Sequence, residues 1–293
     1  MRVVAITRHF AAPLAGARAA RTLRCGLGMN RNVALGVVGA VASGLTGCSY
    51  QLVSPPARMV NLESAKTVAP GETMAGLHGA GYATIFDPGA VVTNASVRRG
   101  VADNLEVDGD LSWARVTYDG FPDIDRNIYA ARAGAKMSND RGSVALFGGL
   151  GGGFAPAAGG FTAADLGFAF SFPNCYVVPF ANAMMFGSLP LGARQVDFRN
   201  ADGSIVSSDK ADPTYGFGFG TGIEIPLSHD RCRAGQSSPR LQLGGALDLL
   251  IPSDGPIVTR TTTESDGTTT TTTESRGGRH GMVGLAVGIE VPF

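Results

Sequence analysis

From about residue 72 to the end, hydrophobic and polar positions alternate with period two. This is the pattern of strands that show one face to an apolar phase and the other to a polar one. The last stretch shows it best: Val283, Leu285, Val287, Ile289, Val291 and Phe293 interleave with Gly284, Ala286, Gly288 and Glu290. Leu241, Leu243, Leu247, Leu249 and Ile251 alternate with Gln242, Gly244, Ala246 and Asp248. Tyr215, Phe217, Phe219, Ile223 and Ile225 alternate with glycines and Glu224, and Leu166, Phe168, Phe170 and Phe172 with Asp165, Gly167, Ala169 and Ser171. One face is large and apolar, the other small or charged. A soluble sandwich would carry Lys, Glu and Thr on its wet face, whereas a face of Gly and Ala with occasional charges suits a narrow polar lumen.

The periodic segments predict about ten strands, near 72–86, 90–101, 104–118, 127–138, 143–154, 161–172, 175–187, 214–227, 239–252 and 280–293. Ten is even, as a closed up-and-down bacterial barrel requires. Connections alternate in length, as such barrels demand: 102–104, 139–142 and 173–174 are tight, while the opposite set includes the long stretches 188–213 and 253–279. The connection 228–238 on the tight side is longer than the rule predicts. The expected fold class is all-β, an up-and-down antiparallel transmembrane β-barrel spanning 72–293. On these strands the chain resembles bacterial outer-membrane β-barrel proteins as a class. The resemblance implies that Phe293, a terminal aromatic in phase with Val291 and Ile289, is the signal read by the barrel-assembly machinery.

The N-terminal region has a different character. The first acidic residue is Glu63, while six arginines precede Cys48, the signature of an export segment. From Met29 a charged region, Asn30-Arg31-Asn32, leads into an apolar stretch, Val33 to Ala42, too short to span a bilayer. Leu45-Thr46-Gly47-Cys48 resembles the bacterial lipobox. That resemblance implies cleavage before Cys48, acylation of its thiol and anchoring in outer-membrane lipid, two or three acyl chains being enough for a stable hold. Residues 1–47 are then an N-terminal extension and lipoprotein signal peptide, with Met29 the suspected true start. Residues 48–71, with Pro55, Pro56 and Pro70 and no sustained periodicity, are expected to be a periplasmic tether. A lipobox departs from the ordinary cleavable signal of most such barrels.

Composition narrows the function. Lys plus Arg equals Asp plus Glu at 24 each, and loss of the first 47 residues leaves 18 basic against 24 acidic groups. That balance offers no basic excess for nucleic acid. With 42 glycines in 293 residues and no Gly-X-Y period, all-α and collagen folds drop out. Beyond Cys25 and Cys48, two cysteines remain, Cys175 and Cys232. Both lie in tight-side connections that adjoin around the wall, where a disulfide is geometrically plausible in an oxidising periplasm.

Glu106, Asp108 and Asp110 share one face of the third strand, and Arg132 and Lys136 one face of the fourth, so oppositely charged rows can meet across a ladder. Arg98, Asp165, Glu224, Arg240, Asp248 and Glu290 are expected to extend this lumen network. It reads either as a salt-bridged core that holds the barrel rigid or as a charged constriction for small solutes. Asp266-Gly267 between threonine runs predicts a Thr-rich hairpin over 259–275, and Trp113 and Tyr118 fit an interfacial aromatic girdle. Among catalytic readings, His280 with Ser253 and Asp254 imitates a hydrolase site without any supporting motif, and His78, His229 and His280 have no second metal ligand at a usual spacing. Neither cofactor nor metal is expected. The reading is a non-enzymatic outer-membrane barrel lipoprotein, a small-solute channel or a structural barrel. The rivals are a barrel enzyme acting on lipid, an adhesin using its outer loops, and a soluble sandwich.

Overall fold

The computed structural model describes residues 52–83, 89–117, 126–199, 205–227, 238–253, 257–263, 269–275 and 280–293. Among these, ten long strands close into one antiparallel barrel. In chain order they are β1 (Thr73–Ala83), β2 (Gly89–Ala102), β3 (Leu105–Thr117), β4 (Asn127–Ser138), β5 (Val144–Ala155), β6 (Gly159–Ser171) and β7 (Val178–Leu191). A short hairpin, β8 (Val196–Arg199) and β9 (Ile205–Asp209), precedes β10 (Thr214–Pro226) and β11 (Arg240–Pro252). A second hairpin, β12 (Ile257–Thr263) and β13 (Thr269–Ser275), precedes β14 (His280–Pro292), which pairs with β1 and seals the wall. Both hairpins belong to the long connections. They define a loop rim, opposite a turn rim that carries the short connections and the C-terminal Phe293, whose N–H donates to Thr73 O at 3.0 Å.

The alternation sorts as the sequence pattern requires. Leu285 is 78% exposed on the outer wall, and Val283, Val287, Ile289, Leu166, Phe168 and Phe219 share that surface, while Ala286, Ala169 and Gln242 are buried inside. Exposed Trp113, Tyr129 and Phe154 lie side by side on adjacent strands towards the loop rim; Tyr118 lies outside the described residues. Local chemistry moves one boundary. Asn174 Oδ1 accepts the N–H groups of Tyr176 and Val177 at 2.9 Å, so β7 begins at Val178, not 175, and runs on past Pro190 to Leu191. Strands β12 and β13 form the expected Thr-rich hairpin, whose Asp266-Gly267 turn lies outside the described residues. The β8–β9 hairpin has no counterpart in the sequence reading.

The tether reading is corrected by the structure. Residues 52–70 run inside the barrel, with Ala57, Arg58, Met59, Val60, Asn61, Leu62, Glu63, Ser64, Ala65 and Val68 all buried. Val53 bridges Asp212 at the loop rim and Pro70 bridges Gly100 at the turn rim, so this inner segment descends the whole lumen. At Gly71, whose φ of +78° favours glycine, the chain reverses and climbs the wall as β1. Met59, Val60 and Leu62 pack with Tyr82, Val92, Phe161 and Phe180 in one apolar cluster, each buried side chain contributing about 1.5–3 kcal/mol.

This packing explains the small luminal face. A Cβ on Gly220 would lie 2.4 Å from Asn61 O, on Gly244 2.7 Å from Leu62 Cδ2, and on Gly100 2.2 Å from Ala69 O. Other inward glycines make room for large wall side chains, a Cβ on Gly216 lying 2.5 Å from Phe186 Cζ and on Gly288 2.0 Å from His78 Cδ2, so the face is small where the inner segment or a bulky neighbour fills the space. Gly220→Val is therefore expected to cost about 1–3 kcal/mol through overpacking. The readout is a lower urea midpoint in detergent and a lower temperature at which the gel mobility of the folded barrel changes. Gly245→Ala, whose new Cβ would meet nothing closer than 3.4 Å, should leave both unchanged.

Candidate functional site in the barrel lumen

The charged side chains sit where register puts them. Antiparallel pairing sets Glu106 directly opposite Lys136 and Asp110 opposite Arg132, so the rows on β3 and β4 meet as cross-strand pairs. Around the wall, Arg98 of β2 faces inward beside Glu290 of β14, which is itself paired in register with Arg240 of β11; Arg240 in turn lies near Glu224 of β10.

Two groups of contacts result. Towards the turn rim, Arg98 Nη2 donates to Glu106 Oε1 at 2.6 Å and Nη1 to Glu290 Oε1 at 3.1 Å. Arg240 pairs with Glu290 through Nε, and its Nη1 reaches Glu224 Oε1 at 3.1 Å. His78 Nε2 stands 3.5 Å from Glu290 Oε1, a luminal contact. Nearer mid-height, Arg132 grips Asp165 with a fork, Nε to Oδ2 at 2.7 Å and Nη2 to Oδ1 at 2.8 Å, while its Nη1 pairs with Asp108 and reaches Asp110 Oδ2 at 3.3 Å. Such bidentate pairing is the guanidinium's particular strength.

The inner segment supplies the missing members. Glu63 pairs with Arg58 of the same segment, with Lys136 Nζ at 2.7 Å and with Arg98 Nη2 at 3.4 Å. Arg58 reaches Asp108 Oδ2 at 3.3 Å and lies 5.0 Å from the centre of the Phe147 ring. Backbone groups complete the fit. Val68 N–H donates to Glu106 Oε2 at 2.7 Å, Ala65 N–H to Ser171 Oγ at 2.8 Å, and Lys136 Nζ to Lys66 O at 2.9 Å. Ser64 Oγ donates to Glu224 Oε2 at 3.0 Å, and Tyr82 OH to Met59 O at 3.0 Å. The wall thus takes up several polar groups of a segment that has no ladder of its own.

Lys136 is only 1% exposed, and every charge in this cluster faces a partner of opposite sign. The sequence-derived residues Glu106, Asp108, Asp110, Arg132, Lys136, Asp165, Glu224 and Glu290 all come together with Arg98 and Arg240. Asp248 does not: it lies nearer the loop rim, and its Oδ1 has no hydrogen-bond partner among the described residues. The sequence reading missed Arg58 and Glu63 because it assigned their segment to a solvated tether. A cavity of about 30 Å³ remains between Arg58, Glu63, His78, Arg98, Asp108 and Glu290, room for one or two water-sized molecules. Among the described residues no cluster of three His, Cys, Asp or Glu could hold a metal ion.

Cys175 lies in the turn between β6 and β7, whereas Cys48, Cys232, His229 and Asp254 lie outside the described residues. Ser253 and His280 both sit at the loop rim, at the end of β11 and the start of β14.

No protein-family model and no curated protein matches the sequence. Solved structures give distant likenesses. The β domain of the Bordetella autotransporter BrkA is 15% identical, with a TM-score of 0.39, over 76% of this chain and 100% of that one. The N-terminal β-barrel domain of Pseudomonas aeruginosa OprF is 12% identical, with a TM-score of 0.30, over 76% and 98%. Neisserial surface protein A is 11% identical, with a TM-score of 0.33, over 76% and 96%. At these values the likeness goes no further than a closed antiparallel barrel.

Removing one partner of a buried charge network leaves the others uncompensated. Arg132→Met, which strands Asp165 and leaves Asp108 and Asp110 with Arg58 alone, is expected to destabilise the barrel by about 3–5 kcal/mol, read as a fall in the urea midpoint in detergent micelles. Arg132→Lys should recover only part of the loss, since an ammonium cannot reproduce the fork to Asp165.

Proposed function

We propose that this chain is a bacterial outer-membrane β-barrel lipoprotein without catalytic activity, acting as a structural barrel closed by its own inner segment and not as an open small-solute channel. The observation that carries this reading is the occupied lumen, in which Arg58 and Glu63 of residues 52–70 are built into the wall's charge network. An outer surface of exposed Leu, Val, Ile and Phe with an aromatic band near the loop rim suits a lipid environment. The loop rim faces the cell exterior by the length rule for such barrels.

The lipobox at Leu45 to Cys48 supplies the acyl anchor, and the alternating last strand ending on Phe293 supplies the feature that barrel-assembly machinery reads. A bridge from Cys175 to Cys232 would join the β6–β7 and β10–β11 connections and stiffen the turn rim. Outer-membrane lipid is the partner expected of this surface.

Planar-bilayer recording of protein confirmed as folded by its gel shift on boiling should show no steady conductance. Glu63→Ala combined with Arg58→Ala loosens the inner segment and is expected to produce intermittent steps. Steady, discrete openings of the wild-type protein would instead establish the channel reading. Radiolabelled palmitate should enter the wild-type chain and not Cys48→Ser.

A further inference from the structure

The inner segment and the wall do not depend on each other equally. Each wall strand is hydrogen-bonded to a neighbour on either side, and β14 closes the ladder on β1. The inner segment forms backbone bridges to the wall only at its ends, Val53 to Asp212 and Pro70 to Gly100, so its withdrawal breaks no wall ladder. The wall's charges also keep partners of their own. Arg98 with Glu106 and Glu290, Lys136 with Glu106, Arg132 with Asp165 and Arg240 with Glu224 are all contacts from strand to strand.

Polar atoms between the two are less well served. Gln242 on β11, Asn94 and Ser96 on β2 and Asn182 on β7 face the lumen, each more than nine-tenths buried. Both amide atoms of Gln242, Asn94 Oδ1, Ser96 Oγ and Asn182 Oδ1 have no hydrogen-bond partner among the described residues, and neither does Asp248 Oδ1 nearer the loop rim. On the inner segment the same holds for both amide atoms of Asn61 and for Arg58 Nε. Buried polar groups are ordinarily paired, and an unpaired one carries its full desolvation penalty. A wall with five such luminal side chains is a surface suited to water.

We propose that the wall lines a path for small cations, which the inner segment closes at rest and opens by withdrawing at the turn rim. This rests on the closed resting barrel and adds a second state to it. The segment runs into β1 at Gly71 on the turn rim, so that rim is its way out. Its track is kept clear by the wall: a Cβ on Gly151, Gly220 or Gly244 would come within 3 Å of Ala57, Asn61 or Leu62. A passage that holds an extended polypeptide admits small hydrated ions, and water then reaches Gln242, Asn94, Ser96 and Asn182. Charge decides which ions follow. The wall's share of the network is six carboxylates against four basic groups. Withdrawal of Arg58 leaves Asp108 and Asp110 to Arg132, which also holds Asp165. An acidic excess along a lumen selects cations, and Asp108 and Asp110 supply that excess.

The test uses the full chain, its folding checked by gel shift on boiling, in planar bilayers under a KCl gradient. Arg58→Ala with Glu63→Ala loosens the segment, and its steps should reverse at a potential that reports K⁺ passing at least about three-fold more readily than Cl⁻. Asp108→Asn with Asp110→Asn in that background balances the wall and should bring the two permeabilities close to equal. Ser54→Cys with Ser188→Cys in the loosened background pins the segment to β7, since the two hydroxyls lie 2.7 Å apart. Oxidation should abolish the steps and dithiothreitol restore them. Silence from the folded, loosened protein, steps that persist after oxidation, or a reversal potential that does not favour K⁺ overturns the proposal. Should the loosened variant not fold, Glu63→Gln, which keeps the size of the side chain and removes its charge, takes its place. Steady openings of the chain without the loosening substitutions that favour K⁺ and are silenced by the disulfide support the cation path and remove the closed resting state instead.

Discussion

A closed wall of ten strands encloses more space than short side chains can fill, and everything else in the molecule follows from how that space is occupied. Large inward side chains such as Tyr82, Phe147, Phe161 and Phe180 fill only part of it. Beside them the barrel keeps a lining of glycine and alanine and lays its own residues 52–70 through the lumen. Van der Waals contact then runs in both directions: the inner segment finds a dry environment for Met59, Val60 and Leu62, and the wall avoids a void that would weaken it.

Filling the lumen with polypeptide raises an electrostatic problem that the same residues answer. Buried charges are tolerable only when paired and hydrogen-bonded. Glu63 lies among Arg58, Arg98 and Lys136, and Arg58 brings the inner segment to Asp108, so the segment is keyed to the wall by charge as well as by shape. The network fixes which residues of the segment face which strands, a role for buried ion pairs in specifying register more than in adding stability.

The wall was legible in the sequence because period two is imposed on it by two different surroundings, lipid outside and packed interior inside. Strand count, inward phase and the meeting of an acidic row on β3 with a basic row on β4 follow from that alternation, whereas the register that sets Glu106 against Lys136 and Asp110 against Arg132 is given by the fold. The inner segment was not legible for the complementary reason. A segment surrounded on every side has no period, and Pro55, Pro56 and Pro70 mark it as irregular. Two signals could have found it. Met59, Val60, Leu62 and Val68 are too apolar for a solvated tether, and glycines recur on inward positions of β5 and β10 where a dry interior demands that something approach. The β8–β9 hairpin escaped notice because its short strands are too brief for a periodic signal.

The central claim, that residues 52–70 occupy the lumen of the folded barrel, is tested most directly by cross-linking Ser54→Cys to Ser188→Cys. Their hydroxyls lie 2.7 Å apart across the space between the inner segment and β7. The account predicts a disulfide that forms in cells, links the two fragments after proteolysis between them, and leaves neither cysteine reactive to maleimide. Two freely reactive thiols in a folded barrel would contradict it.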